Sequence, residues 1–99
     1  MPKRRRYSSE PFGVAIARLM NESGVTYRGL AAKTELSAGY INHLVHGNRP
    51  VPSNAVIARL AEALSIDADH FVEYRMRIIA ERLAESPELV DRLYRRLSS

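Results

Sequence analysis

Residues 26–50, TYRGLAAKTELSAGYINHLVHGNRP, hold two short helical patterns separated by a break of only about three residues. The first pattern begins at Thr26 and the second at Ser37, both residue types that favour the N-cap position. The second pattern ends at Gly47, which is suited to the left-handed residue after a helix. The apolar residues at helical spacing are Leu30, Ala31, Tyr40, Ile41 and Leu44. Two helices joined by so short a turn must cross steeply, which is the geometry of a helix-turn-helix.

Three features of these patterns carry a resemblance to a known family. Ala31 supplies a small residue on the first helix, and Gly47 is followed by Asn48 and Arg49. Leu30, Ile41 and Leu44 are the matching apolar positions. The sequence resembles the lambda-repressor-like (Cro-type) helix-turn-helix DNA-binding family over roughly residues 12–71.

The resemblance implies an all-α fold: a lambda-repressor-like five-helix domain with an extended C-terminal helical segment. We expect a flexible basic arm at 1–10, a core at 11–67 with the motif at 26–47, and C-terminal helices at 68–99 that close the core and dimerise. Glu35 departs from the family, which usually has glycine in the turn because the backbone there needs a positive φ. We therefore expect slight strain or an altered turn at Glu35.

Flanking patterns predict the remaining helices. The first helix is expected to start after Ser9 with Pro11 in its first turn, and to end near Gly24. Ser53 is the expected N-cap of a fourth helix that reaches about Leu64. A fifth helix is expected over 68–85, capped by Asp67 or Asp69, and a last helix over 88–97 after an interruption at Pro87.

The C-terminal helices carry more apolar positions than one domain core needs. One row of the fifth helix can close the core, whereas the other needs a cover. A ten-residue helix is marginal alone in water, so the last helix must dock, either back on its own chain or on a second chain. We favour a homodimer. Its expected interface residues are Val72, Met76, Ile79, Leu83, Leu89, Val90, Leu93, Tyr94 and Leu97.

The positive charge lies mainly in the N-terminal half. The net charge is +4; residues 1–53 hold eight basic and three acidic side chains, and residues 54–99 hold seven and eight. This asymmetry places any contact with a polyanion in the first half. Arg4, Arg5 and Arg6 are interpreted either as part of a solubilising terminus or as an arm that neutralises phosphates or enters the minor groove, and their closeness to the motif favours the arm.

The resemblance assigns base contacts to the exposed face of the second motif helix. Ala38 offers only a methyl group and Gly39 only close backbone approach, so base contacts fall on Asn42 and His43. Asn42 is well suited to adenine, the alternative being a solvated polar residue. The phosphate or supporting contacts are expected from Tyr27, Arg28, Ser37, Tyr40, His46, Asn48 and Arg49. For Tyr27, packing on the first helix is an equal alternative, and Tyr40 is near enough to contact either a phosphate or a base.

These expectations favour a sequence-specific DNA-binding transcriptional regulator, in the family's usual repressor role, that binds a two-fold symmetric operator as a homodimer. The alternative is a helical protein-interaction module, such as an antitoxin-like or adaptor protein. No cofactor and no enzyme activity are expected, since no phosphate-binding loop or catalytic arrangement is present. His43 and His46 have the spacing of a metal pair, but no third ligand is near in sequence. Without a membrane-length apolar run, we expect a cytoplasmic protein at the nucleoid.

Overall fold

Residues 7–99 are described by a computed structural model, and every regular element in this part of the chain is helical. Six α-helices and one 3₁₀ turn follow each other without a strand between residues 7 and 99. The elements are α1 (Phe12–Ser23), α2 (Tyr27–Thr34), α3 (Ala38–Val45), α4 (Asn54–Ala63), the 3₁₀ turn (Ala68–His70), α5 (Val72–Glu85) and α6 (Pro87–Ser98). The predicted all-α fold is confirmed, and α6 is the predicted C-terminal extension.

Side-chain caps fix the starts of the three central helices. The Oγ1 of Thr26 accepts a 3.0 Å hydrogen bond from the N–H of Gly29, and the Oγ of Ser37 accepts one of 3.0 Å from the N–H of Tyr40. The Oγ of Ser53 accepts a 3.3 Å hydrogen bond from the N–H of Val56 in the first turn of α4. All three predicted N-caps are confirmed, because each hydroxyl satisfies an amide that has no partner inside its helix.

The start of α1 differs from the prediction. Pro11 is the N-cap in an extended conformation, so it lies before the first turn of α1 and not within it. Proline has no side-chain acceptor, and the first amide of α1 is satisfied from elsewhere in the fold. The N–H of Phe12 donates to the Oε2 of Glu73 on α5 at 3.0 Å. A carboxylate at this end also opposes the positive end of the helix dipole.

The predicted helix over 68–85 is divided in two. Its first residues form the 3₁₀ turn, and α5 begins only at Val72 because Phe71 is extended, with φ −87° and ψ 129°. This break turns the Phe71 ring into the core, where its centroid lies 4.9 Å from that of Phe12. The expected aspartate cap is wrong: the Asp67 side chain makes no capping hydrogen bond, Asp69 lies inside the 3₁₀ turn, and α5 has no side-chain cap.

The core lies between α1, α2, α3, α4 and the chain around the 3₁₀ turn. Its fully buried large side chains are Ile16, Leu30, Ile41, Ile57, Leu60 and Phe71. Gly13 lets α1 approach α3 closely, because a Cβ there would lie only 2.3 Å from the carbonyl oxygen of Leu44. Burial of this apolar set supplies the main stabilising term of the fold and packs α2 against α3 and α4.

Helix α6 extends the molecule beyond this core. It begins at Pro87, where proline is favoured, and Ser86 caps it by accepting a 3.3 Å hydrogen bond from the N–H of Leu89. No residue of α6 is buried, and α6 packs on α5. The described residues span 47 × 29 × 21 Å. None of the helices between residues 7 and 99 has both the length and the apolar character needed to cross a membrane.

Candidate nucleic-acid interface

The outer face of α3 is polar and open to solvent. Asn42 and His43 are both exposed on it, one turn beyond the helix start. Ala38 is half-buried, and Gly39 is exposed with nothing within 4 Å of the place its Cβ would occupy. The structure thus leaves room at Gly39 for close approach of another molecule.

The end of α3 is closed by a Schellman arrangement. Gly47 has φ 73°, and its N–H donates to the carbonyl of Leu44 at 3.2 Å. The N–H of Asn48 donates to the carbonyl of His43 at 2.9 Å. This pairing is the pattern expected after a helix that ends with glycine at C′, as the sequence predicted for Gly47. It fixes the direction in which the chain leaves α3.

His46 contributes to the same helix end. Its Nδ1 lies 2.8 Å from the carbonyl oxygen of Asn42. A carbonyl only accepts hydrogen bonds, so Nδ1 is the protonated donor and Nε2 is left facing outward. The ring therefore closes the last turn of α3 and still offers one nitrogen to a ligand.

Arg49 lies in the loop that follows α3, and its side chain contacts Tyr40 of that helix. Its guanidinium carbon is 5.9 Å from the centroid of the Tyr40 ring, within the range of a cation–π contact. Tyr40 is half-buried and packs against the core, whereas Arg49 and the preceding Asn48 are exposed. The tyrosine thus acts as a platform that holds a positive charge beside the open face of α3.

The start of α2 presents a second positive position. Arg28 is exposed in the first turn of α2, where unpaired amides and the positive end of the helix dipole also lie. Tyr27 is half-buried and packs against the core. Packing of Tyr27 on the core is thus present, while its packing on α1 in particular stays a prediction, and part of its surface is accessible.

The turn between α2 and α3 contains the expected backbone conformation at Glu35. This residue is left-handed, with φ 64° and ψ 22°, and it follows the last residue of α2. Arg59 of α4 donates through its NH2 group to the carbonyl oxygen of Thr34 at this turn. The turn keeps the conformation that usually calls for glycine, and an arginine from behind holds it in place.

The chain before α1 is hydrogen-bonded to the 3₁₀ turn and to α5. The N–H of Ser8 donates to the carbonyl of His70 at 2.9 Å, and the NH2 of Arg75 donates to the carbonyl of Ser8 at 2.9 Å. The guanidinium of Arg75 also lies 4.4 Å from the Tyr7 ring centroid. Residues from Tyr7 onward are therefore anchored. The arm residues Arg4, Arg5 and Arg6 lie outside the described residues.

Glu10 and Arg18 add a charged contact beside that anchor. The Nε of Arg18 donates to the Oε1 of Glu10 at 2.8 Å, and the Ser8 hydroxyl donates to the same oxygen at 3.0 Å. The hydrogen bond from Arg18 holds the pKa of the Glu10 carboxyl below its usual value. The pair fixes the approach of the chain to α1.

The residues predicted to form a dimer interface divide by exposure. Val72 is half-buried at the start of α5, and Leu83 and Leu89 are half-buried on either side of the link between α5 and α6. The remainder are exposed: Met76, Ile79, Val90, Leu93, Tyr94 and Leu97, with Leu97 at 83% and Tyr94 at 70%. Apolar side chains this exposed on neighbouring helices form a surface suited to covering by another protein surface.

Sequence reasoning missed several residues that shape this site. Arg59 and Arg77 both donate to backbone carbonyls beside α3, and no sequence pattern marks an arginine that acts across 25 or 26 positions. Glu73 was missed as the cap of α1 for the same reason. Gly13 did carry a signal, because an isolated glycine within an apolar helical pattern often marks close backbone contact.

A family model described as a helix-turn-helix domain matches residues 11–72. The chain belongs to this helix-turn-helix family. The match covers α1 to α4, the 3₁₀ turn and the first residue of α5, which agrees with the resemblance drawn from the motif residues.

Curated relatives of this helix-turn-helix chain include two from Mycobacterium tuberculosis. The HTH-type transcriptional regulator RamB (strain CDC 1551 / Oshkosh) is 34% identical over 70 residues, which is 70% of this chain and 15% of RamB. The HTH-type transcriptional regulator PrpR (strain ATCC 25618 / H37Rv) is 34% identical over 71 residues, 72% of this chain and 14% of PrpR. The chain thus matches only a small part of these regulators. No solved structure matches it significantly.

Proposed function

We propose that this chain binds double-stranded DNA and regulates transcription, with α3 placed in the major groove. The observation that carries the proposal is the exposed polar face of α3, held between a capped start at Ser37 and a closed end at Gly47. A short helix fixed at both ends and presented outward is what major-groove recognition requires. The two regulators named above support the same role.

Base reading in this proposal belongs to Asn42 and His43. Both are exposed on the outer face of α3 and close enough along the helix to contact neighbouring base pairs. The Asn42 amide can pair with adenine in two hydrogen bonds, a contact worth about 1–3 kcal/mol of discrimination. Ala38 adds a methyl contact with thymine, and Gly39 permits close approach of the helix.

Phosphate contacts surround that face. Arg28 and the N-terminal amides of α2 would bind one phosphate, and the N-terminal end of α3 at Ser37 another. Arg49, held over Tyr40, and Asn48 would contact the backbone beyond α3. Two further groups complete the set: the exposed side chain of His46, and the arm residues Arg4, Arg5 and Arg6, which would reach phosphates or the minor groove.

The protein acts in this proposal as a homodimer joined through α5 and α6. The exposed apolar residues of these helices support it, because a protruding twelve-residue helix gains stability when a second copy covers it. Two copies of α3 would then read half-sites about 34–36 Å apart, or a multiple of that. Occlusion of a promoter would make the protein a repressor, working in the cytoplasm at the nucleoid.

The proposal is tested by selecting bound sequences from a random DNA pool and measuring affinity for the selected site. We expect Asn42→Ala and His43→Ala each to relax preference at defined base pairs. Asn21→Ala, which removes an exposed asparagine from α1, is the matched control and should leave the preference unchanged. Deletion of residues 1–6 should weaken binding to all sequences alike. Equal losses on selected and random DNA for the two α3 variants would contradict the assignment of α3.

The exposed face of α6 favours a second candidate, a protein-interaction module that binds a different protein through its C-terminal helices. Salt separates the two functions. DNA binding should weaken log-linearly with salt, by about 0.9 in the slope for each phosphate contacted, whereas an apolar protein interface should barely respond. A chain that shows no affinity for any DNA at low salt would support the second candidate.

A further inference from the structure

Arg77 of α5 is joined to the loop that follows α3. Its NH1 group donates to the carbonyl of Pro52 and, at 3.1 Å, to the Oδ1 of Asn54, and its NH2 group donates to the carbonyl of Val51 at 3.1 Å. The three acceptors lie within four residues of chain. One guanidinium therefore fixes the whole second half of this loop.

The first half of the same loop is fixed by α3 itself. The hydrogen bond from the N–H of Asn48 to the carbonyl of His43 sets the start, and Arg77 sets the end. Between these two attachments lie Arg49 and Pro50. Since proline restricts its own φ and the conformation of the residue before it, Arg49 has little freedom left. The fixed backbone places the start of the Arg49 side chain, and its guanidinium lies over Tyr40.

Arg77 is suited to this task by its shape. The planar guanidinium carries several donors in a rigid fork and can serve three acceptors that face it from one side, whereas a lysine ammonium is a single point with rotating donors. Pro52 is buried, so its carbonyl would lack a ready replacement partner without Arg77. The loop would then have to move to satisfy that carbonyl with water.

We propose that Arg77 is a positioning residue for DNA binding, which holds Arg49 in its phosphate-binding place without contacting DNA itself. The inference rests on the proposed function and deepens it, because it assigns control of one DNA contact to α5. Met76 lies beside Arg77 on α5 and is exposed on the apolar face offered to a second copy. The helix that forms the dimer thus also sets the loop that meets the phosphates.

A double-mutant cycle on the full chain tests the inference. The variants are Arg77→Ala, Arg49→Ala and the pair together, with affinity for the selected DNA site measured by fluorescence anisotropy over a range of salt. We expect each single variant to lose about five- to tenfold in affinity per half-site at 100 mM salt and about 0.9 in the salt slope per subunit, because one phosphate contact is lost in each half-site. The pair should lose no more than Arg49→Ala alone, because Arg77 acts through Arg49.

Two controls accompany the cycle. Arg82→Ala removes the same charge from an exposed position of α5 and should change the affinity much less than Arg77→Ala. Arg77→Lys keeps the charge but not the fork, so it should resemble Arg77→Ala. Should Arg77→Ala fail to fold, Asn54→Ala removes one of the three acceptors and should give a smaller loss that also disappears in the Arg49→Ala background.

The experiment distinguishes failure of the positioning role of Arg77 from failure of the proposed DNA binding. Additive losses in the double variant, or an Arg77→Lys variant with normal affinity, would overturn the positioning role while leaving α3 as the reading helix. Normal binding by Arg49→Ala would overturn it as well, since there would be no contact to position. A wild-type chain that binds no DNA would instead remove the proposed function.

Discussion

Between residues 7 and 99, Glu35 and Ser65 are the residues other than glycine that have a positive φ, and Glu35 lies in the turn of the motif. Its left-handed conformation, with φ 64°, is adopted readily by glycine and costs a residue with a Cβ about 1–2 kcal/mol. The turn between α2 and α3 retains this conformation because the packing of both helices and the bond from Arg59 to Thr34 define it. The strain foreseen from the sequence is therefore placed in the tightest turn of the motif.

Glu35→Gly should raise the free energy of unfolding by about 0.5–1 kcal/mol, since relief of the strain exceeds the added entropy of glycine in the unfolded chain. The control is Glu35→Ala, which removes the same carboxylate but keeps the Cβ and should bring no comparable gain. Chemical denaturation measures both. An equal gain for both variants would show that the charge and not the backbone causes the cost.

The Glu10 carboxylate should make the free energy of unfolding depend on pH in the acidic range. Its pKa is lowered in the folded protein by the hydrogen bond from Arg18, so its stabilising contribution is full above the ordinary carboxylate pKa. The contribution is then lost as the pH falls through the lowered value. Glu10→Gln should remove this part of the dependence in thermal unfolding followed between pH 2 and pH 7.

Glu62→Gln, which changes an exposed carboxylate of α4, is the comparison for that experiment. Its acid profile should stay like that of the wild type. A Glu10→Gln profile that coincides with the wild type at every pH would show that the contact with Arg18 contributes nothing to stability.

Among the helices, the close contact between α1 and α3 fixes the position of α3 in the fold. The two backbones meet at Gly13, where a Cβ would lie 2.3 Å from the carbonyl oxygen of Leu44 and 2.8 Å from that of Val45. Neither oxygen can move without shifting the last turn of α3. This contact and the cap from Glu73 to Phe12 join the start of α1 to both α3 and α5.

Gly13→Ala should therefore destabilise the fold, by about 1–3 kcal/mol, the cost of forcing extra volume into a packed contact. Gly39→Ala is the matched control. It makes the same change in a helix whose surroundings are open, so it should not destabilise and can gain from the better helix propensity of alanine. Denaturant unfolding measures the free energy of unfolding of both variants. Equal changes in the two would contradict the close approach of α1 to α3 at Gly13.

In the whole molecule, α6 and the outer face of α5, which carries Met76 and Ile79, lie outside the core. The described residues extend 47 Å along their longest axis, and α6 has no buried residue. The sequence left two destinations for α6, folding back on α5 within one chain or docking on a second chain. In the structure α6 contacts α5, but none of its residues is buried and several of its apolar side chains stay exposed.

Truncation after Ser86 should produce a monomer with much weaker affinity for a two-fold symmetric site, since both avidity and the second reading helix are lost. A narrower change is Leu97→Glu, which should weaken the dimer by about 1.5–3 kcal/mol for each copy of a buried leucine lost. Ser98→Glu adds the same charge at the next position and serves as the control. Sedimentation over a range of concentrations measures all three, and an unchanged dimer in the truncated protein would contradict the interface.

The sequence by itself determined the elements that depend on local chemistry. The three hydroxyl N-caps, the glycine after α3 and the left-handed Glu35 all follow from contacts within a few residues, and each was predictable. The helix-turn-helix followed from two such patterns set close together. The exposed positions of α3, Asn42 and His43 among them, follow from the same helical periodicity.

Only the tertiary structure decided what depends on distant parts of the chain. The break at Phe71, the cap from Glu73, the approach at Gly13 and the arginines behind α3 join residues separated by up to 61 positions. Such contacts arise because packing brings unsatisfied carbonyls and amides together, and no local pattern records them. Residues 26–50 thus specify a helix-turn-helix with α3 as its second helix, while the core and α5 specify how α3 and its following loop are held.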